Sequence, residues 1–450
     1  MAQPSPDQGI DVIGIGAINY DYIVKVSKSL AEENIPESGD EDLSRFTAED
    51  LATPISKYYH SRGFTDTQIG GSSYLAVKTI SYLQDLNLNT AYVGIYSTPG
   101  ELERDVDFFT NVSDVDQRAR EEFDHLDDDE WLFEVDGTPG RGLLELSSGK
   151  RQKARVGPGV NTRLVEHIRE KEAAMETDGD TNPFTEYLAS AQWVHLTSFA
   201  DFDQFQFFVD RLKDAKKLNP HLRVSIDPGY EYTYRHTSYD SAAPSQADGN
   251  RLSLDDAFEV TDYVFMNTAE LTNLSDSDTF EVKRDADTLA SLSETDELQA
   301  IIIKEENRHS LINFVNNVPY YQEVNDVVLT EYWHRKLGRF DIKNDTGTGD
   351  ALAGGVIAGI LSPTTLSYKP VPVEIGSSLA SEVLQSYDFP AKNMNNVART
   401  VISKKQKQAN PTDGLEKKIN AIRANHGERI EGLVIGIIAS GLVYLITVLV

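Results

Sequence analysis

An α/β fold with a mostly parallel sheet, covered on both faces, is predicted by three observations. Short apolar, β-branched stretches recur along the chain. Stretches with helical spacing stand between them, as in βαβ units. The 450 residues, 40% hydrophobic and 25% charged, suffice for one large or two ordinary domains with a sizeable core.

The elements follow in order. "DVIGIGAI" (11–18) reads as a strand, "SSYLAVKTISYLQDL" (72–86) as a helix and "TAYVGIY" (90–96) as a strand. "AQWVHLTSF" (191–199), "RVSIDPG" (223–229), "TDYVFMN" (261–267) and "LQAIIIKE" (298–305) are further strands. "FDQFQFFVDRLKDAKKL" (202–218) and "GDALAGGVIAGIL" (349–361) are helices. In such sheets ligands bind beyond the carboxyl ends of the strands, so functional residues are expected just after strands.

Two acidic, mixed stretches, 27–68 and 97–137, interrupt the pattern, the second containing "HLDDDEW". They read as solvated insertions, and they also fit a lid. Residues 401–431 form a basic linker in which "QANPTDG" marks a break. Residues 432–450, "GLVIGIIASGLVYLITVLV", carry no charge. At about 1.5 Å per residue they nearly cross a ~30 Å hydrocarbon core and are expected to form a single transmembrane helix. Lys404, Lys405, Lys407, Lys417, Lys418, Arg423 and Arg429 precede it and favour a cytoplasmic main domain, residues 1–400. Gly432, Gly436 and Ser440 form a small-residue stripe that fits a homodimer.

The net charge of −30 argues against nucleic acid as a partner and fits a salt-adapted cytosol. The absence of cysteine excludes disulfides, thiolate catalysis and cysteine–zinc sites. "MAQPSPDQGI" has neither the basic region nor the apolar core of a signal peptide.

Four stretches carry chemistry. In "GIGAINYD" (14–21) Asn19 stands where a dinucleotide fingerprint needs its third glycine. Asn19 and Asp21 offer an amide and a carboxylate, a pair suited to hydroxyl groups, and the same residues suit an ordinary turn. Gly70 and Gly71 allow a close backbone approach at a helix start. Asn267 and Glu270, three apart at a strand-to-helix junction, fit water-mediated Mg²⁺ binding and equally a helix cap.

"NDTGTGDALAGG" (344–355) reads as a glycine turn entering a helix. Gly347, Thr348 and Gly349 would aim backbone N–H groups at an anion, and Asp350 would accept a proton from an attacking hydroxyl. A plain cap remains open. "DTG" alone matches an aspartic protease, but that chemistry needs paired carboxylates in a β framework. A Walker A loop is excluded, since no Gly-Lys-Ser/Thr stands at the right spacing.

In order, "GAINYD", "IGGSS", "GPGVN", "NTAE" and "GTGDALAGG" resemble the ribokinase-like (PfkB) family of carbohydrate and nucleoside kinases over roughly residues 10–395. The resemblance implies a three-layer sandwich with a small lid, and phosphoryl transfer from ATP-Mg to a hydroxyl of a sugar or nucleoside. It implies Asp350 as base and Gly347, Thr348 and Gly349 as anion hole. Asn19, Asp21, Gly70, Gly71 and Asn161 would bind substrate, and Asn267 and Glu270 would position Mg²⁺ and phosphate. Some distant relatives use ADP as donor. The chain departs from the pattern at Asp345, at Thr348, at Leu75 where an Asn is usual, and in the glycine-free "KEENRHS" (304–310). These departures motivate the rival of a ligand-binding or regulatory protein that has lost catalysis, tethered to the membrane.

Overall fold

The structure, a computed structural model, describes residues 9–25, 66–97, 123–137, 139–147, 150–157, 159–175, 181–197, 202–228, 257–267, 270, 298–304, 309–315, 318–324, 346–362, 371–384 and 391–409. Its thirteen strands are β1 Val12–Ile15, β2 Asn19–Lys25, β3 Asp66–Gly70, β4 Thr90–Tyr96, β5 Leu132–Glu134, β6 Gly140–Ser147, β7 Lys150–Gly157, β8 Trp193–Thr197, β9 Arg223–Asp227, β10 Tyr263–Asn267, β11 Ala300–Lys304, β12 His309–Val315 and β13 Val318–Val324. The helices are α1 Ser72–Ser81, α2 Leu164–Ala174, α3 Pro183–Ala189, α4 Phe202–Leu218, α5 Thr348–Leu361, α6 Val371–Leu384 and α7 Ala391–Ala409.

Nine strands form the main sheet in the order β13-β12-β11-β10-β9-β8-β1-β4-β5. The seven strands from β11 to β5 pair in parallel, and the β12–β13 hairpin closes one edge antiparallel. Each residue of β1, β4 and β8 is buried, because both faces are covered. One face, carrying Ile13, Ile15, Val93, Val194, Ile226 and Ile301, packs against Ile168 of α2, Phe184 of α3 and Phe208 and Leu212 of α4.

The opposite face meets α1, with α5 and α6 beyond it. Glycines set these helix spacings. A methyl group at Gly354 would stand 2.8 Å from Thr79 Cβ, and one at Gly355 2.6 Å from Gly376 Cα. The run of small residues after Asp350 is therefore a packing surface against two helices.

A second sheet, β3-β2-β6-β7, is built where the chain leaves β1. Within it β2 pairs with β3 antiparallel and with β6 in parallel, and β6 pairs with β7 antiparallel. Asn19 and Asp21 do not lie in a turn past the strand predicted over 11–18; they open β2.

Residues 123–137 are not solvated throughout: Phe123 and Trp131 are buried, while most of the residues around them are exposed or half-buried. β5 lies parallel to β4 at the sheet edge, and Trp131, at the end of the charge run, is 1% exposed in the core against Phe184. The helix α7 runs from Ala391 to Ala409. The chain divides into two compact units, Met1–Ala398 and Arg399–Val450, and α7 crosses the division. Among the described residues no helix is long and apolar enough to cross a membrane. The predicted span 432–450 lies outside them, as do the 27–65 part of the first acidic stretch, residues 98–122 and Asp345.

Candidate active site

The carboxyl ends of the parallel strands make the edge where ligands are expected, and the predicted residues gather there. β1 ends at Ile15, and the next residues carry the chain to the second sheet. At that crossing the backbone of Ile18 has no strand partner, and buried peptide groups must find one. Asn161 supplies it: Ile18 N–H donates to Asn161 Oδ1 (3.1 Å) and Asn161 Nδ2 donates to Ile18 O (3.0 Å). Nδ2 also donates to Asn19 Oδ1 (3.1 Å).

Asn19 and Asp21 alternate on β2 and so share a face of the second sheet. Both are buried, at 7% and 8% exposure. The Asp21 carboxylate lies between two backbones that lack side chains. A methyl at Gly70 would stand 2.5 Å from Asp21 Cγ with Oδ2 nearer still, and one at Gly142 would stand 3.2 Å from Cγ. Gly71, at φ 111°, passes so close to Ala17 that a methyl there would meet its carbonyl. The paired glycines, expected to admit a ligand, admit Asp21 and Ala17.

Asp350 lies in the first turn of α5, whose N-cap Gly347 adopts the left-handed conformation (φ 79°) and offers no side chain to the helix N–H groups. Such a terminus suits an anion. Thr348 Oγ1 is buried without a hydrogen-bond partner. Asp350 is near enough to Tyr92 for its charge to act on the phenol. Burial chiefly raises the pKa of Tyr92; a hydrogen bond with Ser73 works against this and the charge of Asp350 adds to it. The phenol therefore stays neutral. The Tyr92 ring lies in a trough made by glycines: a methyl would stand 3.0 Å from its Cδ2 at Gly14 and 2.5 Å from its Cε1 at Gly94. Its hydroxyl reaches Ala17 O at 3.5 Å. Tyr92 is thus the link between Asp350, whose charge reaches its phenol, and Ala17, which precedes Asn19 and Asp21.

Asn267 ends β10, three strands along the edge from β1, about 14 Å away at ordinary strand spacing. Asn267 N–H donates to Glu270 Oε2 (2.7 Å) and Glu270 N–H donates to Asn267 Oδ1 (2.8 Å). This is a reciprocal cap, one of the two readings the sequence left open. Glu270 is 4% exposed, and Asp227, at the end of neighbouring β9, is 6% exposed. Among the described residues no group of three or more acidic or histidine side chains forms a metal cluster.

Sequence reasoning missed Tyr92, Ser73, Asp227, Gly140 and Gly142. Asp227 had a signal, since "SIDPG" places a carboxylate at the end of a strand, before a turn. Tyr92 had none: in an apolar strand it reads as core.

Solved structures share this architecture. Similar to the chain are ribokinase from Giardia lamblia (14% identity, TM-score 0.55, covering 88% of this chain and 99% of that one) and adenosine kinase from Sinorhizobium meliloti (15%, 0.58, 87% and 99%). Ribokinase from Arabidopsis thaliana, complexed with ribose and ATP, is similar too (13%, 0.54, 88% and 99%). The chain has the ribokinase-like (PfkB) fold. No family model matches its sequence, and no curated protein matches it.

Proposed function

We propose that the chain is a phosphotransferase that moves a phosphoryl group from ATP to a hydroxyl of a sugar or nucleoside. The observation that carries this reading is Asp350 in the first turn of α5, whose N-cap offers no side chain, with its charge reaching Tyr92, whose hydroxyl meets Ala17. The kinases with the same fold add support: one is complexed with ribose and ATP, and adenosine kinase from Schistosoma mansoni is complexed with adenosine and AMP.

In this mechanism Asn19 and Asp21 hold hydroxyl groups of the acceptor. Asp350 takes the proton of the attacking hydroxyl. The N–H groups of Gly347, Thr348 and Gly349, with the dipole of α5, stabilise charge on the transferring phosphoryl group. The neutral Tyr92 phenol keeps water and a second negative charge away from Asp350. Two buried carboxylates, Asp227 at the end of β9 and Glu270 just beyond the end of neighbouring β10, are a donor set that fits Mg²⁺ held largely through its own waters, with Asn267 fixing Glu270. When bound, Mg²⁺ neutralises phosphate charge. Residues 432–450 tether the enzyme to the cytoplasmic face of a membrane.

Phosphate transfer from ATP to a panel of sugars and nucleosides tests the reading. Turnover of at least one acceptor is expected. Binding of an acceptor without turnover would replace the kinase with a ligand-binding protein on the same fold.

A further inference from the structure

The amide of Asn161 has one allowed orientation. A backbone N–H only donates and a backbone carbonyl only accepts, and both groups of Ile18 meet this amide, at 3.1 and 3.0 Å. Its oxygen therefore faces Ile18 N–H and its nitrogen faces Ile18 O. The second proton of that nitrogen goes to the Asn19 side chain at 3.1 Å, so the Asn19 atom there is the oxygen. Gln204 Nε2 donates to Asn161 O at 2.6 Å and anchors the residue from behind. Gly140 lies over the contact, so no side chain enters between the two amides. Asn161 is 1% exposed, and water does not compete for these bonds.

The free end of the Asn19 amide is then its nitrogen. Among the described residues Nδ2 has no hydrogen-bond partner, and Asn19 as a whole is 7% exposed. We propose that Asn161 is a positioning residue that fixes Asn19 as a donor, beside the acceptor-only carboxylate of Asp21, so that the two read opposite hydrogen-bond polarity in the acceptor. The inference rests on the reading of this cleft as the acceptor site. The substrate class it selects has two neighbouring hydroxyls, one accepting from Asn19 and one donating to Asp21. A fluorine, which accepts only, can replace the first and not the second. An ammonium, which donates only, can replace the second and not the first.

The test titrates the full chain with D-ribose, adenosine and their single deoxyfluoro and amino analogues, following binding by calorimetry. In the wild type one position is expected to keep fluorine within about threefold and to lose about tenfold or more with the amine, and its neighbour to show the reverse. Asn161→Asp accepts from both Ile18 N–H and Asn19 Nδ2, turns the Asn19 oxygen to the cleft, and makes both positions prefer the amine. If that variant does not fold, the wild-type series decides alone. Equal tolerance of amine and fluorine at both positions overturns the proposal. Failure of ribose, adenosine and all analogues to bind overturns the acceptor site and this inference with it. Binding with the expected polarity, but without phosphorylation by ATP, supports the inference and overturns only the kinase reading.

Discussion

Gly70→Ala is expected to lower both acceptor turnover and stability. The Asp21 carboxylate fills the space that a side chain at residue 70 would need. The new methyl would stand 2.5 Å from Asp21 Cγ, and Oδ2 is closer. That is about 1 Å inside ordinary carbon contact. Retreat is limited on the other side, where Gly142 on β6 leaves only its own missing side chain as room. Asp21 must therefore shift by about 1 Å. Overpacking of this kind costs about 1–3 kcal/mol of stability. A hydroxyl ligand displaced by about 1 Å costs on the order of 10²-fold in turnover. Urea denaturation reads the first effect, and kcat/KM for an active acceptor reads the second. Asp21→Ala removes the clash, so Gly70→Ala should add little to it in the double variant. Wild-type kcat/KM in Gly70→Ala, or losses that multiply in the double variant, would refute the argument.

Three further outcomes are expected. Gly376→Ala puts a methyl 2.5 Å from Leu352 O and should lower stability by about 1–3 kcal/mol in urea, with wild-type stability as the contrary result. Burial pushes the Lys78 ammonium down to about 8. Between pH 8 and 10 the unfolded chain keeps this proton and the folded chain releases it, so stability rises with pH. Relative to Lys78→Met, the wild type should gain about 2–3 kcal/mol across that window, and a flat difference would contradict the buried charge. Deleting residues 432–450 should move the protein from the membrane to the soluble fraction, and a full-length chain found in the soluble fraction would refute the tether.

The main sheet was legible because burial on both faces leaves apolar runs that stand out. "TAYVGIY" became β4 and "FDQFQFFVDRLKDAKKL" became α4 without change of boundary. The second sheet was not legible. β7, "KRQKARVG", holds four basic residues in eight, and nothing apolar marks it as a strand. β5 was hidden because "DDDE" outweighs the Trp131 that anchors it.

At the candidate site, the place of Asp350 at the start of a helix was legible, whereas Asp21, expected past a strand end, lies within β2. What either touches was not legible. Asn161 meets Ile18 across 143 residues, and Tyr92 lies over Gly14 only through the register of β1 with β4. Local sequence carries neither relation. The Asn267–Glu270 pair shows the opposite case. Its spacing left a cap and a Mg²⁺ role equally open, and the reciprocal hydrogen bonds form the cap.

The central claim is that Asp350 removes a proton from an acceptor hydroxyl during phosphoryl transfer. Its most direct test compares wild type with Asp350→Asn, using ATP and an acceptor that the wild type phosphorylates. The account predicts acceptor affinity near that of the wild type and turnover lower by about 10²–10⁴-fold. Undiminished turnover in Asp350→Asn would contradict it.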